Sequence, residues 1–266
     1  MKAIRVGVLG AGGRMGRRVT AAAIEAGLRV GAAVDRPGSP DLGKDAGLLA
    51  GIGAVGAPVE SDLAKVISRC DVVIDFTAPA ATAAHAALCA DHHVPMVIGT
   101  TGVEGDAKAA IAKAAKVVPV VHAANFSIGV NALLAVVTQL AQTLSGYDVE
   151  VVEIHHRKKV DAPSGTAIRL AEAVAAGRKA ELAKIAKHGR AGQVGARTDA
   201  ELGMHAVRGG DVIGDHTVYF LGAGERIEVT HRASSRDTFA AGAVRAASWV
   251  VSQKPGLYEM KDVLGL

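Results

Sequence analysis

A glycine-rich turn between an apolar strand and a helix is the feature that most limits what this chain can fold into. The segment VGVLGAGGRMGRRV places Gly10, Gly12, Gly13 and Gly16 directly after the apolar stretch Ile4–Leu9. Glycines at such a turn let the backbone approach a pyrophosphate, whose negative charge lies at the N-terminus of the following helix. The turn therefore predicts a dinucleotide-binding βαβ unit.

The turn departs from the strict G-x-G-x-x-G pattern, because Met15 stands where the last glycine is expected and Gly16 follows it. Glycine-rich turns also occur for packing alone, so a turn without a ligand is the alternative. The loop lacks a Gly-Lys-Ser/Thr sequence, which excludes a Walker A phosphate loop. Asp35 comes 19 residues after Gly16, where a carboxylate holds a ribose hydroxyl, and Arg36 beside it suits a 2′-phosphate. The pair predicts binding of NADH, NADPH or both.

Short β-branched stretches alternate with alanine-rich helical stretches in the first half of the chain. The predicted strands are Ile4–Leu9, Leu28–Val34, Val72–Phe76, Met96–Ile98 and Val117–Val121, and the predicted helices include Met15–Ala26, Ala80–Ala90 and Asp106–Lys116. Strands that alternate with helices form βαβ units and a parallel sheet. We therefore predict an α/β fold with an N-terminal Rossmann-type parallel sheet domain.

The pattern changes after Phe126, where apolar residues from Val130 to Leu144 recur at helical spacing and predict an amphipathic helix. The predicted elements that follow are the strands Asp148–His156, His216–Leu221 and Arg226–His231, a glycine-rich loop over Lys187–Gly203 and a final helix over Thr238–Val251. They indicate a C-terminal α+β domain with a mixed or antiparallel sheet. We predict a dinucleotide-binding domain over 1–126, to which 237–266 returns, and a substrate-binding and oligomerisation domain over 127–236.

The composition excludes several functional classes. Aromatic residues make up only 3% of the chain, which argues against stacking platforms for nucleic acid. The net charge of +4 is spread without a basic arm, so we expect no nucleic-acid partner. No apolar run approaches the roughly 20 residues that span a bilayer, so we expect no membrane association. The two cysteines, Cys70 and Cys89, are too few for a disulfide framework, which favours a cytoplasmic location.

A basic cluster at the end of the predicted strand Asp148–His156 is the strongest candidate for chemistry. The segment EIHHRKKVDAPSGTA contains, in order, His155, His156, Arg157, Lys158 and Lys159. Ser164, Gly165 and Thr166 then open a helix, and their free N–H groups are expected to attract a carboxylate. Histidine supplies an acid–base group near neutral pH and lysine an ammonium donor. The cluster therefore suits a small dianionic acid, and a solvated charged loop is the alternative.

Adjacent side chains of a strand point to opposite faces, so His155 and His156 cannot both face one substrate unless the strand ends there. One is expected to transfer a proton, and the other to bond substrate or hold the loop. The histidines have no Cys or carboxylate partner at ligand spacing, so we predict no metal site. Most other histidines, His85 among them, are expected to be packing or surface residues.

Two further loops follow later predicted strands, Phe76–Pro79 and Gly99–Gly102. In open α/β sheets, ligands lie at the carboxyl ends of the strands, where both loops are expected. Glycine N–H groups and threonine hydroxyls at that edge would meet ribose and nicotinamide, although each segment taken alone also fits an ordinary loop.

Several motifs in order over nearly the whole chain resemble the dihydrodipicolinate reductase family. They are GAGGRMGR, the FTxP of Phe76–Pro79, GTTG at Gly99–Gly102, AANFS at Ala123–Ser127, EIHHRKKVDAPSGTA, RGGDVIGDH at Arg208–His216 and THRASSRDTFAAGA. The resemblance implies NAD(P)H-dependent reduction of 4-hydroxy-tetrahydrodipicolinate to tetrahydrodipicolinate with loss of water, in diaminopimelate and lysine biosynthesis. It also implies a homotetramer, and we expect association through the sheet of the C-terminal domain.

The resemblance also implies roles for individual residues. His155 would be the acid–base group and Lys159 the proton donor. The implied substrate contacts are His156, Gly165 and Thr166, to which the helix opening adds Ser164. The implied cofactor contacts are Gly10, Ala11, Gly12, Gly13, Arg14, Met15, Asp35, Arg36, Gly99, Thr100, Thr101, Ala123, Ala124, Asn125 and Phe126. The family frequently has Glu where this chain has Asp35, which leaves the choice between NADH and NADPH open.

Two other functions remain alternatives. Another Rossmann-type dehydrogenase acting on an amino-acid-derived substrate would share the glycine turn, but an amino-acid dehydrogenase would not need the helix opening at Ser164–Thr166. An aldehyde dehydrogenase would need a catalytic cysteine, but neither Cys70 nor Cys89 lies in a sequence typical of a nucleophile. A regulator that senses NAD(H) without turnover would not need His155 and Lys159.

Overall fold

The computed structural model describes residues 3–266, which divide into two compact units. The first comprises the described residues up to Ile128 together with Asp237–Gly265. The second comprises Gly129–Arg236, with which Leu266 is grouped. The first boundary therefore lies two residues beyond the predicted one, at the start of a helix. The predicted C-terminal segment that returns to the first domain, 237–266, differs from the observed one only in its last residue.

Strands and helices follow one another along the chain. The first stretch contains β1 (Arg5–Leu9), α1 (Arg14–Glu25), β2 (Arg29–Val34), α2 (Ala46–Ala50), β3 (Val59–Glu60), β4 (Val72–Asp75), α3 (Pro79–Asp91), β5 (Met96–Ile98), α4 (Gly105–Ala114) and β6 (Pro119–His122). The middle contains α5 (Ile128–Thr143), β7 (Asp148–His155), α6 (Gly165–Gly177), α7 (Leu182–Ile185), β8 (Ala186–His188), β9 (Leu202–Arg208), β10 (Gly214–Leu221) and β11 (Arg226–Ala233). The last stretch contains α8 (Asp237–Val250), β12 (Gly256–Tyr258) and α9 (Met260–Leu264).

The first unit is built on a parallel sheet, which within the described residues has seven strands in the order β12-β6-β5-β4-β1-β2-β3. Its central strands are buried almost throughout, because helices cover both faces of such a sheet. The strand order reverses at β1, which lies between β2 and β4. This reversal creates the crevice where α/β sheets bind ligands.

The predicted Rossmann-type sheet is confirmed, with strand boundaries that differ by one or two residues from those predicted. Two short edge strands, β3 and β12, were not predicted from the sequence. They have two and three residues, too few to show a period.

The second unit is built on a mixed sheet in the order β11-β10-β7-β9-β8. β10 pairs antiparallel with β7 and β11, as expected for these three strands. β9 runs parallel to β7 and β8, and both β8 and β9 fall partly in the stretch predicted as a loop. The loop prediction over Lys187–Gly203 was therefore wrong at both ends, because β9 forms by pairing with the distant β7 and β8 by pairing with β9, although neither segment has a local period.

Strand β7 alternates strictly between a buried and a half-buried face. Its buried face packs with β9 and β10 against apolar residues of α5 and α6, which form one core. Leu133 and Val137 come from the predicted amphipathic helix, and Leu170 and Val174 come from α6. This packing fixes which residues of β7 lie beneath the helices.

Within residues 3–266, the helices are all too short or too polar to cross a membrane. Cys70 and Cys89 are both buried and free.

Candidate active site

The glycine-rich turn follows β1 at the reversal of strand order. Gly10 has a φ of +76°, a conformation that glycine adopts without strain, and its N–H donates to the carbonyl of Val34 at 2.8 Å. Helix α1 then begins at Arg14 with Gly13 as its N-cap. The N–H groups of a helix's first turn lack partners within the helix, so this end offers donors for a phosphate.

Asp35 stands at the end of β2 beside this turn. Its carboxylate accepts the Gly12 N–H at 2.9 Å and the Arg36 N–H at 2.7 Å, which fixes its orientation. A Cβ at position 12 would lie 2.5 Å from Asp35 Oδ2 and 2.7 Å from Asp41 Oδ2, so a larger residue there would displace these carboxylates. Asp35 is half-buried and Arg36 is exposed.

A cavity of about 710 Å³ adjoins the turn, and its lining includes Gly12, Asp35, Arg36, Leu63, Ala81 and His85. Ligand sites of this kind typically have a few hundred to about 1,000 Å³ and mostly apolar walls with a few polar groups. The volume, the oriented carboxylate and the open helix end fit the adenosine and phosphate part of a nicotinamide dinucleotide. The residues present therefore fit the predicted cofactor.

A buried carboxylate that the sequence analysis did not single out lies at the end of β4. Asp75 is 0% exposed and accepts hydrogen bonds from the Thr77 hydroxyl at 2.6 Å and from Thr100 at 3.2 Å, and it contacts His85 Nδ1 at 2.9 Å. His85, expected to be a packing or surface residue, therefore lines the cavity in a fixed orientation. The Thr100 hydroxyl, expected to face the cofactor, is instead bonded to Asp75 and Thr82.

The loops after β5 and β6 lie at the same carboxyl edge as the glycine turn. Gly99 makes room for the ring of Phe76, since a Cβ at 99 would lie 2.1 Å from that ring. The Phe76 ring packs edge to face on Phe126, with centroids 5.9 Å apart. Of the predicted contacts nearby, Phe126 is buried, Ala123 and Asn125 are half-buried, and Thr101 and Ala124 are exposed. The structure thus brings the predicted cofactor residues to one edge of the first sheet.

In the second unit, strand β7 ends at His155, and His156 lies beyond it in a turn. His155 lies on the helix-covered face and is 8% exposed. The His156 N–H donates to the Val212 carbonyl at 2.7 Å, and the Gly209 N–H donates to the His155 carbonyl at 3.0 Å. His155 therefore lies on the buried face of the strand, whereas His156 lies outside the strand. The two histidines do not share one face of β7, as strand geometry requires.

A network of buried side chains surrounds His155. Its Nδ1 lies 2.5 Å from Glu153 Oε2, and Glu153 also bonds Arg208 and the Ser164 N–H. Glu153, Arg208 and His216 were not singled out as site residues. The sequence signal that could have identified Arg208 and His216 was the RGGDVIGDH motif, which contains both residues.

Ser164 caps helix α6, and its Oγ accepts the Ala167 N–H at 3.2 Å. Its own N–H donates to Glu153 Oε1 at 3.0 Å. The expectation that this N–H is free was therefore wrong, because a carboxylate on β7 already accepts it. Gly165 and Thr166 occupy the first two positions of α6.

His216 lies 2.9 Å from Ser164 Oγ through Nε2, and its ring packs edge to face on His155 with centroids 5.1 Å apart. Burial, together with the nearby His155, lowers the pKa of His216 to about 4. His216 is therefore neutral near pH 7.

Lys159 lies in the loop between β7 and α6. Its Nζ donates to Asp161 Oδ1 at 2.9 Å, and its side chain is 20% exposed. An ammonium has three N–H donors, so two remain after this bond. The neighbouring Lys158 is exposed. Among the described residues, the structure shows no group of three or more histidine, cysteine or carboxylate side chains placed to hold a metal ion.

Two family models together match almost the whole chain. The model described as "Dihydrodipicolinate reductase, N-terminus" matches residues 4–126, and the model described as "Dihydrodipicolinate reductase, C-terminus" matches residues 129–264. The chain belongs to the dihydrodipicolinate reductase family. The resemblance inferred from the motifs is thereby confirmed.

Individual relatives of the reductase family agree with this assignment. A protein of Acinetobacter baumannii (strain ATCC 17978) named 4-hydroxy-tetrahydrodipicolinate reductase is 53% identical over 263 residues, which cover 98% of this chain and 96% of that protein. A protein of Trichlorobacter lovleyi with the same name is 49% identical over 264 residues, 99% of each chain. The dipicolinate-bound dihydrodipicolinate reductase of Paenisporosarcina sp. TG-14 superposes with a TM-score of 0.78 at 27% identity, covering 97% of this chain and 98% of that one.

Proposed function

We propose that this protein is an NAD(P)H-dependent 4-hydroxy-tetrahydrodipicolinate reductase, which forms tetrahydrodipicolinate with loss of water in diaminopimelate and lysine biosynthesis. The observation that carries the proposal is the end of β7 in a chain of this family, where Glu153 bonds both His155 and the Ser164 N–H that opens α6, and Lys159 follows in the connecting loop. Such an end suits a small dicarboxylate, as the dipicolinate bound to a relative also suggests.

The nicotinamide cofactor, when bound, supplies a hydride. The reaction also takes up one proton and releases one water, so a group of the protein must deliver a proton. His155 exchanges a proton through Nε2, since its Nδ1 is bonded to Glu153. Lys159 donates from its ammonium group. His156, Gly165 and Thr166 hold the substrate carboxylates at the helix end, and Ser164, whose N–H and Oγ are already bonded, caps that end.

The cofactor is held by the turn Gly10–Met15, by Asp35 and Arg36 at the ribose, and by the loops Gly99–Thr101 and Ala123–Phe126 at the nicotinamide. Support comes from their shared position at the carboxyl edge of the first sheet. We place the enzyme in the cytoplasm, where reduced nicotinamide cofactors for biosynthesis are available.

The test is oxidation of NADPH and NADH by the purified protein, followed by absorbance, with substrate generated in situ from pyruvate and aspartate semialdehyde by the preceding aldolase. Rapid oxidation that requires all components is expected. A protein that binds NADH tightly but oxidises none would contradict the proposal and favour a regulator that senses NAD(H).

Arg36 is expected to decide how well NADPH binds. Asp35 disfavours a 2′-phosphate through charge repulsion, and the adjacent exposed guanidinium offsets it. Arg36→Ala should weaken NADPH binding about tenfold, the effect of one charge-assisted contact, and leave NADH binding within about twofold. Fluorescence titration of both cofactors measures this. Arg29→Ala, an exposed arginine at the opposite end of β2, is the control, and an equal loss for both cofactors would contradict the role.

We also propose a homotetramer that forms through the sheet of the second unit. Helices cover one face of this sheet, while the other face carries half-buried residues such as Val152, Ile154 and Tyr219. Sedimentation should give about four times the mass of one chain, and Tyr219→Glu should produce smaller species, since it places a charge on that face. A wild-type monomer at micromolar concentration would exclude this assembly.

A further inference from the structure

Glu153 is a buried carboxylate to which the proposed reaction assigns no role. It is 1% exposed and lies on the helix-covered face of β7, where Val149 and Val151 are its apolar neighbours. Its Oε2 accepts from Arg208 Nη1 at 2.7 Å and lies 2.5 Å from His155 Nδ1. Its Oε1 accepts from Arg208 Nη2 at 2.7 Å and from the Ser164 N–H at 3.0 Å. A buried carboxylate is tolerated only when its oxygens are satisfied in this way.

These partners also keep Glu153 ionised. Burial opposes ionisation, but the hydrogen bonds from Arg208, His155 and the Ser164 N–H outweigh it and lower the pKa of this carboxyl. Arg208 binds through two N–H···O bonds, which fix the plane of the carboxylate. Arg208 is itself held by bonds to the carbonyls of Val207 at 2.7 Å and Asp161 at 2.8 Å.

An anionic partner at Nδ1 decides which nitrogen of His155 exchanges a proton. An ionised carboxylate only accepts hydrogen bonds, so Nδ1 carries the hydrogen and Nε2 is left to gain or lose one. The glycine at position 214 leaves room beside Nε2, because a Cβ there would lie 2.9 Å from that nitrogen.

The groups that face His155 are Glu153 on its own strand, Arg208 on β9 and His216 on β10. The charges of Lys159 and His231 also act on His216. Since His216 is neutral near pH 7, Glu153 is the charged group that bonds His155 directly. Removing the charge of Glu153 is therefore expected to act first on His155.

The same carboxylate reaches the substrate-binding helix. Ser164, whose N–H bonds Oε1, caps α6, and the first turn of α6 is the proposed site for a substrate carboxylate. One side chain thereby sets the position of the proton-exchanging ring relative to the helix end.

We propose that Glu153, held by Arg208, is a positioning residue of the reductase: it keeps the proton of His155 on Nδ1 and fixes the ring relative to the first turn of α6. The inference rests on the proposed function, because it assigns proton exchange to His155. Glu153 and Arg208 act through His155 and Ser164 rather than by touching substrate.

The test is Glu153→Gln, which keeps the shape and removes the charge. We expect kcat to fall about 10- to 100-fold, part of the contribution of a positioned acid–base group. The dissociation constants of NADH and dipicolinate should stay within about threefold, since their contacts remain. The loss should therefore appear in kcat rather than in KM, a split that a merely structural defect would not produce.

Two conservative variants make the test independent of folding problems in Glu153→Gln. Glu153→Asp retains the charge but is one methylene shorter, and should lose less kcat than Glu153→Gln. Arg208→Lys retains the positive charge without the two-point contact, and should lower kcat about 3- to 10-fold. Glu172→Gln removes an exposed carboxylate on α6 and should match the wild type in both kcat and KM.

Different failures lead to different conclusions. A Glu153→Gln protein with unchanged kcat, or one in which Tm and the affinity for dipicolinate fall together with kcat, would overturn the positioning role while leaving the reductase intact. If Glu153→Gln does not fold, wild-type behaviour of both conservative variants would overturn it equally. A wild-type protein that binds NADH but never oxidises it with substrate would overturn the proposed function, and this inference with it.

Discussion

Replacement of Lys159 by alanine is expected to lower kcat about 10³-fold while leaving NADH binding unchanged. The Lys159 ammonium lies in the loop that follows β7. Within the described residues, its Nζ donates one hydrogen bond, to Asp161. Its loss would remove the proposed proton donor and a positive charge that suits a dianionic substrate, and a positioned acid contributes about 10² to 10⁴ in rate. Steady-state kinetics with in situ substrate, together with fluorescence titration of NADH, measures both quantities.

Lys158 provides the matched control for this experiment. It is the same residue type, one position earlier in the chain, but its side chain is exposed. Lys158→Ala should therefore retain wild-type kcat. A Lys159→Ala protein whose kcat stays within about threefold of the wild type would exclude Lys159 as the proton donor.

Gly16→Ala is expected to destabilise the first unit and to weaken cofactor binding at the glycine-rich turn. A Cβ at position 16 would lie 2.1 Å from the carbonyl oxygen of Gly10 and 2.7 Å from Ala11 Cα, so α1 would have to move away from the turn. Overpacking of this kind costs about 3 kcal/mol or more when the neighbour is backbone. For a chain of this size, that predicts a fall in Tm of roughly 6–12 °C in a thermal melt.

Gly13 lies in the same turn and offers a direct comparison. A Cβ there would meet a single atom, the Gly10 oxygen, at 3.1 Å, so Gly13→Ala should change Tm by much less. Equal loss of Tm in both variants would mean that the turn adjusts as a whole, and that the close approach at Gly16 does not limit its stability.

Local patterns were sufficient to predict the first unit. The turn at Gly10–Gly16, the alternation of strands with helices and the carboxylate Asp35 at the end of β2 are all features of neighbouring residues. The strands missed there, β3 and β12, are short edge strands that form only by pairing with the longer strands β2 and β6.

The second unit could be predicted less completely, because its important contacts are distant in the chain. In the sequence, Glu153 is indistinguishable from the other charged residues of an alternating strand. Its burial depends on Arg208, which lies 55 residues later in the chain. The strand β9 likewise forms through parallel pairing with β7 across a long connection. The acid–base candidate His155 was found from its type and place, whereas the groups that orient it required the fold.

The return of the chain to its first unit has a consequence for how the protein is made. Helix α8 contributes Ala243, Ala247 and Val250 to the core of the first unit, and β12 completes one edge of its sheet. A ribosome that has released only the first 128 residues has therefore produced a sheet without part of its core. We expect the nascent nucleotide-binding unit to remain open during synthesis of the middle of the chain, and to close only after Val250 has emerged.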